Sequence, residues 1–189
     1  MTIYKQTCLL VLLFALTCTN AWADKYSDAL KTFKEANGTT EFFENSYGYA
    51  LFPTIAKVGM VIGGAGGDGR VYEKEKYTGD TSMTQFSVGF QLGAQGVSQI
   101  IFFEDKLAFD KFTSGNFEFT VEASAVVITA GATAAGGTKG STASASGNKN
   151  NATTEGSYVK GMATFIIVKG GLMYEAVIAG QKFKYSPLN

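Results

Sequence analysis

The sequence predicts an α+β fold, in which a bent antiparallel sheet that could close toward a barrel carries helices at its N-terminus and one helix inserted between strands. Three observations support this prediction. Apolar residues recur at helical spacing just after residue 24. From Met60 onward apolar and polar residues alternate with a period of two, which is typical of half-buried strands. A second helical pattern, Asp105–Ser114, interrupts the strands and ends at Gly115.

Residues 1–23 have the pattern of a secretory signal peptide. Lys5 supplies a small basic region, residues 9–16 an apolar stretch, and Ala21-Trp22-Ala23 a cleavage site of the small-x-small type, so we expect removal before Asp24. The remaining residues, 24–189, are enough for a single domain. The sequence therefore predicts export, to the periplasm or the envelope if the host is bacterial.

The composition argues against several kinds of chemistry. Both cysteines, Cys8 and Cys18, lie in the predicted signal peptide, and the chain has no histidine. The mature protein would thus lack disulfides, thiolate ligands and the usual general base at neutral pH. Acidic and basic residues balance at 16 each, which argues against binding to nucleic acid. We predict no catalytic residues, no metal and no cofactor.

The helices and strands can be placed in order along the chain. Asp24–Asn37 is predicted to be an amphipathic helix and Thr40–Ser46 a second short one, with Phe42 and Phe43 buried. The predicted strands, turns and loop follow: a strand at Arg70–Tyr77 that turns at Thr78-Gly79-Asp80, strands at 85–94, Val97–Phe103 and 117–123, a mobile low-complexity loop at about 130–157, and two closing strands, Met162–Val168 and Leu172–Ile178, around a turn at Lys169-Gly170-Gly171.

The most informative segment runs from Gly48 to Gly69. It reads Gly-Tyr-Ala-Leu-Phe-Pro, then Lys57-Val58-Gly59, then a cluster of glycines that permits positive φ and close approach of another surface. This segment resembles the opening of the SYLF domain, a family of lipid-binding and, in eukaryotes, actin-associated proteins. Further segments carry the same resemblance: Val88–Gln95, Phe112–Gly115, Val121–Gly131 and Lys169–Leu172. Family members usually have a Trp-Ser pair where this chain reads Asp80-Thr81-Ser82.

Two enzymatic interpretations of these residues are weaker. Gly64–Gly69 matches the dinucleotide-binding fingerprint, but a strand-like segment follows it where that motif requires a helix. The neighbouring carboxylates Glu104 and Asp105 could act as acid and base, yet they stand where a helix start needs hydrogen-bond acceptors.

The resemblance implies a non-enzymatic lipid-binding protein that contacts anionic phospholipid, such as a phosphoinositide, or a membrane surface at the envelope. The candidate lipid-binding residues are the glycines and the nearby cations: Lys57, Gly63, Gly64, Gly66, Gly67, Arg70 and Lys169. Protein partners cannot be read from the sequence. The alternative is a small outer-membrane β-barrel or a structural envelope assembly protein, because Thr81–Phe103 and Ala123–Thr138 contain no charged residue.

Overall fold

The computed structural model describes residues 21–36, 38–120, 125–128 and 156–188. These residues form three helices, α1 (Ala21–Lys34), α2 (Thr40–Asn45) and α3 (Lys106–Thr113), and six strands: β1 (Gly48–Gly59), β2 (Ile62–Glu73), β3 (Lys76–Phe103), β4 (Asn116–Thr120), β5 (Ala125–Ile128) and β6 (Met162–Pro187). All pairings are antiparallel except that of β5 with β6. The predicted combination of a mainly antiparallel sheet with a few short helices is confirmed.

Three parts of the sequence prediction lie outside the described residues. They are the predicted signal peptide up to residue 20, the end of the predicted strand 117–123 from residue 121 onward, and the predicted loop up to residue 155. The predicted cleavage site before Asp24 falls in the first turn of α1.

The order of strand pairing requires β3 and β6 to bend. The first part of β3 pairs with β2 and its last part with β1, while its other edge pairs with β6 over nearly the whole length. The hairpin β1–β2 therefore lies inside the bend of β3, and β3 lies inside the bend of β6. We call the hairpin end, at Met60 and Val61, the apex. The described strands do not form a closed cylinder.

The sheet has two faces, which we name by the helices that cover them. The outer face packs against α1 and α2 in a cluster that includes Tyr26, Phe33 and Phe165. The inner face packs against α3 in a cluster that includes Phe52, Phe112 and Phe183. Rings on both faces meet at centroid distances near 5 Å, as for Phe42 with Phe165 at 4.9 Å and Phe112 with Phe183 at 5.1 Å. A helix layer thus buries each face away from the apex.

The sequence explains where α1 and α3 form. In α1, Tyr26, Ala29 and Phe33 follow the helical period and are all buried against the outer face. The side chain of Asp105 caps α3 by accepting a hydrogen bond from the backbone nitrogen of Ala108 at 2.8 Å. Gly115 ends the helix at a φ of +112°, in the left-handed region that favours glycine. The predictions of these helices, and of a short second helix with a buried Phe42, are confirmed.

The predicted turn at Thr78-Gly79-Asp80 is wrong. The chain reverses at Lys74 and Glu75, whose φ angles are 45° and 69°, and residues 78–80 lie within β3. A β-carbon at Gly79 would clash with the carbonyl oxygen of Ser186. The glycine therefore permits close packing of β6, and it is not a turn residue.

The predicted turn at Lys169-Gly170-Gly171 is also wrong, because β6 continues through it from Met162 to Pro187. The pairing register shifts at this point, where Val168 pairs with Val97 and Gly170 with Gly96, so Lys169 is the extra residue of a β-bulge. Likewise 97–103 is part of β3 and not a separate strand.

The glycine cluster is a strand. None of Gly63, Gly64, Gly66, Gly67 and Gly69 has a positive φ, and all five lie in β2. The expected positive φ was wrong, whereas the expected close approach holds at two positions. β-Carbons at Gly67 and Gly69 would meet the carbonyl oxygen of Thr54 at 2.5 Å and the ring of Phe52 at 2.6 Å.

Candidate lipid-contact site

Large apolar side chains are exposed around the apex. We call this group the apex patch, and its members are exposed by 52% to 73%: Val58, Met60, Val61, Ile62, Phe86, Val88 and Leu92. Val58 pairs with Gly64, which in turn pairs with Phe86, and Ile62 pairs with Val88. The patch is therefore continuous across three strand segments. Exposed apolar groups of this kind mark surfaces that contact a membrane, a ligand or another protein.

The inner face behind the apex patch is polar. Gln85, Ser87 and Gln181 are buried there, and the side-chain nitrogen of Gln181 donates to the side-chain oxygen of Gln85 at 3.0 Å. Because neighbouring side chains of a strand point to opposite faces, Phe86 and Val88 cannot turn inward without moving these polar groups outward. Strand alternation therefore fixes the apolar side chains on the outer face.

A polar cleft lies further from the apex on the same outer face. Its floor consists of two rows of paired residues on β2, β3 and β6. The first row is Arg70, Asp80 and Ser186, and the second is Asp68, Ser82 and Lys184. Lys25 and Tyr26 of α1 border this space of about 500 Å³, which we call the Arg70 cleft.

Aromatic rings hold the guanidinium of Arg70 in place. Its central carbon is 4.2 Å from the ring centre of Tyr26 and 4.9 Å from that of Tyr77, which are cation–π distances. Its Nε lies 3.9 Å from Oδ1 of Asp80, and within the described part of the chain this buried nitrogen has no hydrogen-bond partner. The side chain as a whole is 30% exposed. The arginine is therefore oriented, but its hydrogen-bonding capacity is incompletely used.

The two phenols beside Arg70 remain neutral at physiological pH. Burial raises the pKa of Tyr26, although the charge of Arg70 opposes this shift. Burial, together with a hydrogen bond to Asp80, raises the pKa of Tyr77 to about 12. The Tyr77 hydroxyl donates that bond to Oδ1 of Asp80 at 2.6 Å. Oδ1 of Asp80 therefore accepts a hydrogen bond from a neutral phenol while it lies within ion-pair distance of the guanidinium.

The structure separates the predicted cations. Arg70 lies in the cleft, but neither Lys57 nor Lys169 lines it. Lys57 pairs with buried Ala65, so it lies on the inner face. The ammonium of Lys169 donates to the carbonyl oxygen of Pro53 at 3.1 Å and lies 3.4 Å from the hydroxyl of Thr54.

The predicted glycines divide into two sets. Gly64 and Gly66 lie on the outer face, where an added β-carbon would come no closer than 3.5 Å to a backbone oxygen. Gly63 is buried on the inner face, and Gly67 lies close beneath β1. Only the first set is accessible for contact, and it lies between the Arg70 cleft and the apex patch.

Two further negative observations apply to the described residues alone. No three His, Cys, Asp or Glu side chains among them are grouped so that they could hold a metal ion. None of the helices in the described part of the chain has the length and apolar character needed to span a membrane.

Comparison with known proteins gives an informative similarity. No family model matches the chain. The chain is similar to Beta cell expansion factor A of Aeromonas veronii, with 30% identity over 156 residues. The match covers 82% of this chain and 51% of that protein, so the chain spans about half the length of this relative. Because about half of the relative has no counterpart here, its activity as a whole is not transferred to this chain.

Proposed function

We propose that this chain is an exported, non-enzymatic lipid-binding protein of the SYLF type that contacts anionic phospholipid at a membrane surface. The apex patch carries the proposal. It presents seven large apolar side chains to solvent, each more than half exposed. The resemblance of the glycine-rich β2 segment to the SYLF family supports the same conclusion.

The size of the apex patch indicates reversible binding. Completing the burial of a half-exposed apolar side chain contributes roughly 1 kcal/mol, so seven such side chains would contribute about 7 kcal/mol before the costs of association. This is similar to the weak membrane anchoring of a single acyl chain, which normally needs a second, electrostatic contribution. Lys57, the neighbour of Val58, and Lys182, which pairs with Thr84 two residues from Phe86, lie close enough to the apex patch for that contribution. The binding should therefore favour anionic lipid and weaken as salt increases.

Vesicle flotation tests the proposal. The protein lacking residues 1–23 is mixed with vesicles of phosphatidylcholine alone or with added phosphatidylglycerol, at low and high salt. We expect more protein to float with the anionic vesicles, and less of it at high salt. Replacing Met60 and Phe86 together by Gln should abolish flotation, because both are more than half exposed in the apex patch.

The matched control replaces an apolar residue that is equally exposed elsewhere. Leu107 on α3 is 63% exposed and lies outside the apex patch, so Leu107→Gln should float like the wild type. If the apex variant floated as well as the Leu107 variant, the apex patch would not be the contact surface. If the wild type floated with no vesicle, the lipid-binding function itself would be refuted.

The second candidate remains a small outer-membrane barrel or a structural envelope assembly protein. The apolar outer side and polar inner side of the apex favour it, since barrel strands alternate in this way. Carbonate extraction of membranes from the native host distinguishes the two candidates. A peripheral lipid-binding protein is released into the supernatant, whereas an integral barrel stays in the pellet.

A further inference from the structure

Successive rows of paired residues on the outer face change from charged, to rows that contain glycines, to apolar. Beyond the two charged rows of the Arg70 cleft comes a row of Gly66, Thr84 and Lys182, then one of Gly64, Phe86 and Gly180, and then Ile62 paired with Val88. Each residue advances about 3.3 Å along a strand, so Arg70 and Ile62, which are eight residues apart, are separated by roughly 26 Å along β2. The surface thus has a charged end, an apolar end, and a middle in which Gly66 and Gly64 leave β2 without side chains.

The middle rows leave the backbone open to contact. An added β-carbon at Gly64 or Gly66 would have only a backbone oxygen within 4 Å, and one at Gly180 would have no neighbour within that distance. Phe86 stands between Gly64 and Gly180 and is 61% exposed. A hydrocarbon chain can therefore lie against the exposed backbone of Gly66 and Gly64 and against the Phe86 ring, because no glycine side chain stands in its way. We call this surface the glycine strip.

The Arg70 cleft has the groups that recognise a phosphate. Arg70 is already oriented by two rings, and Lys184 and Ser82 lie in the adjacent row. Guanidinium, ammonium and hydroxyl donors together suit the oxygens of a phosphate group. The cleft also contains two carboxylates, Asp68 and Asp80. With Lys25, which also borders the cleft, three cations against two carboxylates leave an excess of one positive charge, which attracts the negative charge of a phosphodiester.

The distance from the apex determines how a lipid would reach the cleft. An interfacial element penetrates about 5–10 Å into the boundary between head groups and acyl chains. With the apex patch inserted to that depth and β2 standing along the bilayer normal, a cleft roughly 26 Å from Ile62 lies beyond the head groups of a flat bilayer. A phospholipid in the cleft would therefore be a single molecule that has left the bilayer.

We infer that the Arg70 cleft binds the phosphodiester of an individual phospholipid molecule, whose acyl chains lie along Gly66 and Gly64 toward Phe86. This inference rests on the proposed lipid-binding function, but it assigns a second site with a different task. The apex patch contacts the membrane surface, whereas the cleft and the glycine strip together hold one lipid molecule.

A monomeric short-chain lipid tests the cleft separately from membrane contact. Dihexanoyl phosphatidylglycerol, kept below the concentration at which it forms micelles, is titrated into the protein lacking residues 1–23, and binding is measured by equilibrium dialysis. We expect saturable binding at one molecule per protein. Inorganic phosphate, which lacks acyl chains, and dihexanoylglycerol, which lacks phosphate, should each bind at least tenfold more weakly.

Three charge-removing variants locate the site. Arg70→Gln and Lys184→Gln should each weaken binding of the short-chain lipid at least tenfold. Lys31→Gln is the control, because Lys31 lies on α1 as Lys25 does but does not line the cleft, and its ammonium is 3.9 Å from the Glu35 carboxylate. This control should bind within twofold of the wild type. Lys184 is exposed, so its variant keeps the test valid if Arg70→Gln fails to fold.

The outcomes separate this inference from the proposed function. If the wild type floats with vesicles but Arg70→Gln and Lys184→Gln bind the short-chain lipid like the control, the inference is overturned and the function stands. Equal affinity for inorganic phosphate and for the short-chain lipid would also overturn it, because the glycine strip would then contribute nothing to the binding affinity. If short-chain lipid binds as expected but no vesicle is bound, the cleft assignment stands and the membrane contact fails.

Discussion

The side chain of Lys169 reaches across β3 to the backbone of Pro53. Its ammonium donates to the Pro53 carbonyl oxygen at 3.1 Å, and the hydroxyl of Ser98 donates to the same oxygen at 2.7 Å. Both β1 and β6 have a register shift at this level of the sheet, between Phe52 and Ile55 and at Lys169. One carbonyl therefore connects three neighbouring strands where two of them are irregular, which leaves its lone pairs satisfied.

This contact predicts a structural role for Lys169. Lys169→Met keeps an unbranched stem but removes the donor, and we expect a loss of about 1 kcal/mol in the free energy of unfolding. Urea denaturation measures this loss. Lys182→Met is the control, because its ion pair with Glu118 is exposed and should contribute little. Normal stability of Lys169→Met together with weaker vesicle flotation would instead support the lipid-contact role expected from the sequence.

The turns illustrate what the sequence could not reveal. Gly79 and Gly170 have the composition of turns, yet both lie within strands, while the actual reversal uses Lys74 and Glu75 at positive φ. A glycine is equally suited to a turn and to the close approach of a neighbouring strand. Only the pairing partner distinguishes these two uses, and that partner can be far away in sequence, as Ser186 is for Gly79.

The candidate site could be predicted only in part for a similar reason. Arg70 was identifiable as the single arginine of the chain, and the uncharged run 81–103 indicated a surface suited to lipid. Tyr26 and Lys184 were missed, because they come from opposite ends of the chain and meet Arg70 only through strand pairing and the docking of α1. The β-bulge of β1 was also hidden, although it reverses which residues face outward.

Crowded and open glycines in β2 should respond differently to substitution by alanine, as measured by the free energy of unfolding. A β-carbon at Gly69 would lie 2.6 Å from the ring of Phe52 and 2.8 Å from the carbonyl oxygen of Leu51, so Gly69→Ala should lower the free energy of unfolding by about 1–3 kcal/mol. At Gly66 the nearest atom is 3.5 Å away and φ is not positive, so Gly66→Ala should be neutral or stabilising by about 0.5 kcal/mol. Urea denaturation of both variants provides the comparison, and equal stability of the two would contradict it.

Replacing Thr81 should stabilise the protein, because its hydroxyl is buried. Thr81 is 4% exposed, and its Oγ1 has no hydrogen-bond partner within the described part of the chain. Thr81→Val replaces this hydroxyl with a methyl group of similar shape, so we expect a gain of about 1 kcal/mol in the free energy of unfolding. Thermal unfolding by circular dichroism would reveal it. A lower melting temperature would show that the hydroxyl has a partner in the folded protein.

Buried tyrosines predict a loss of stability at alkaline pH. Burial is the largest cause that raises the pKa of Tyr77 and of Tyr158 to about 12, from an ordinary value of 10.0, and burial also raises the pKa of Tyr49. The folded protein therefore keeps these protons above pH 10, where the unfolded chain releases them. Since release favours the unfolded state, the free energy of unfolding is unaffected by these groups below pH 10 and decreases between pH 10 and 12.

Tyr77 and Tyr158 would each lower the free energy of unfolding by up to roughly 2 kcal/mol between pH 10 and 12, before solvent screening reduces the effect. Urea denaturation at pH 9 and at pH 11.5, at constant ionic strength, measures the decrease. The Tyr158 hydroxyl has no hydrogen-bond partner among the described residues, so Tyr158→Phe should fold normally. Because this variant has one fewer titrating phenol, its stability should decrease less than that of the wild type. An equal decrease in both proteins would show that Tyr158 does not hold its proton more tightly when folded.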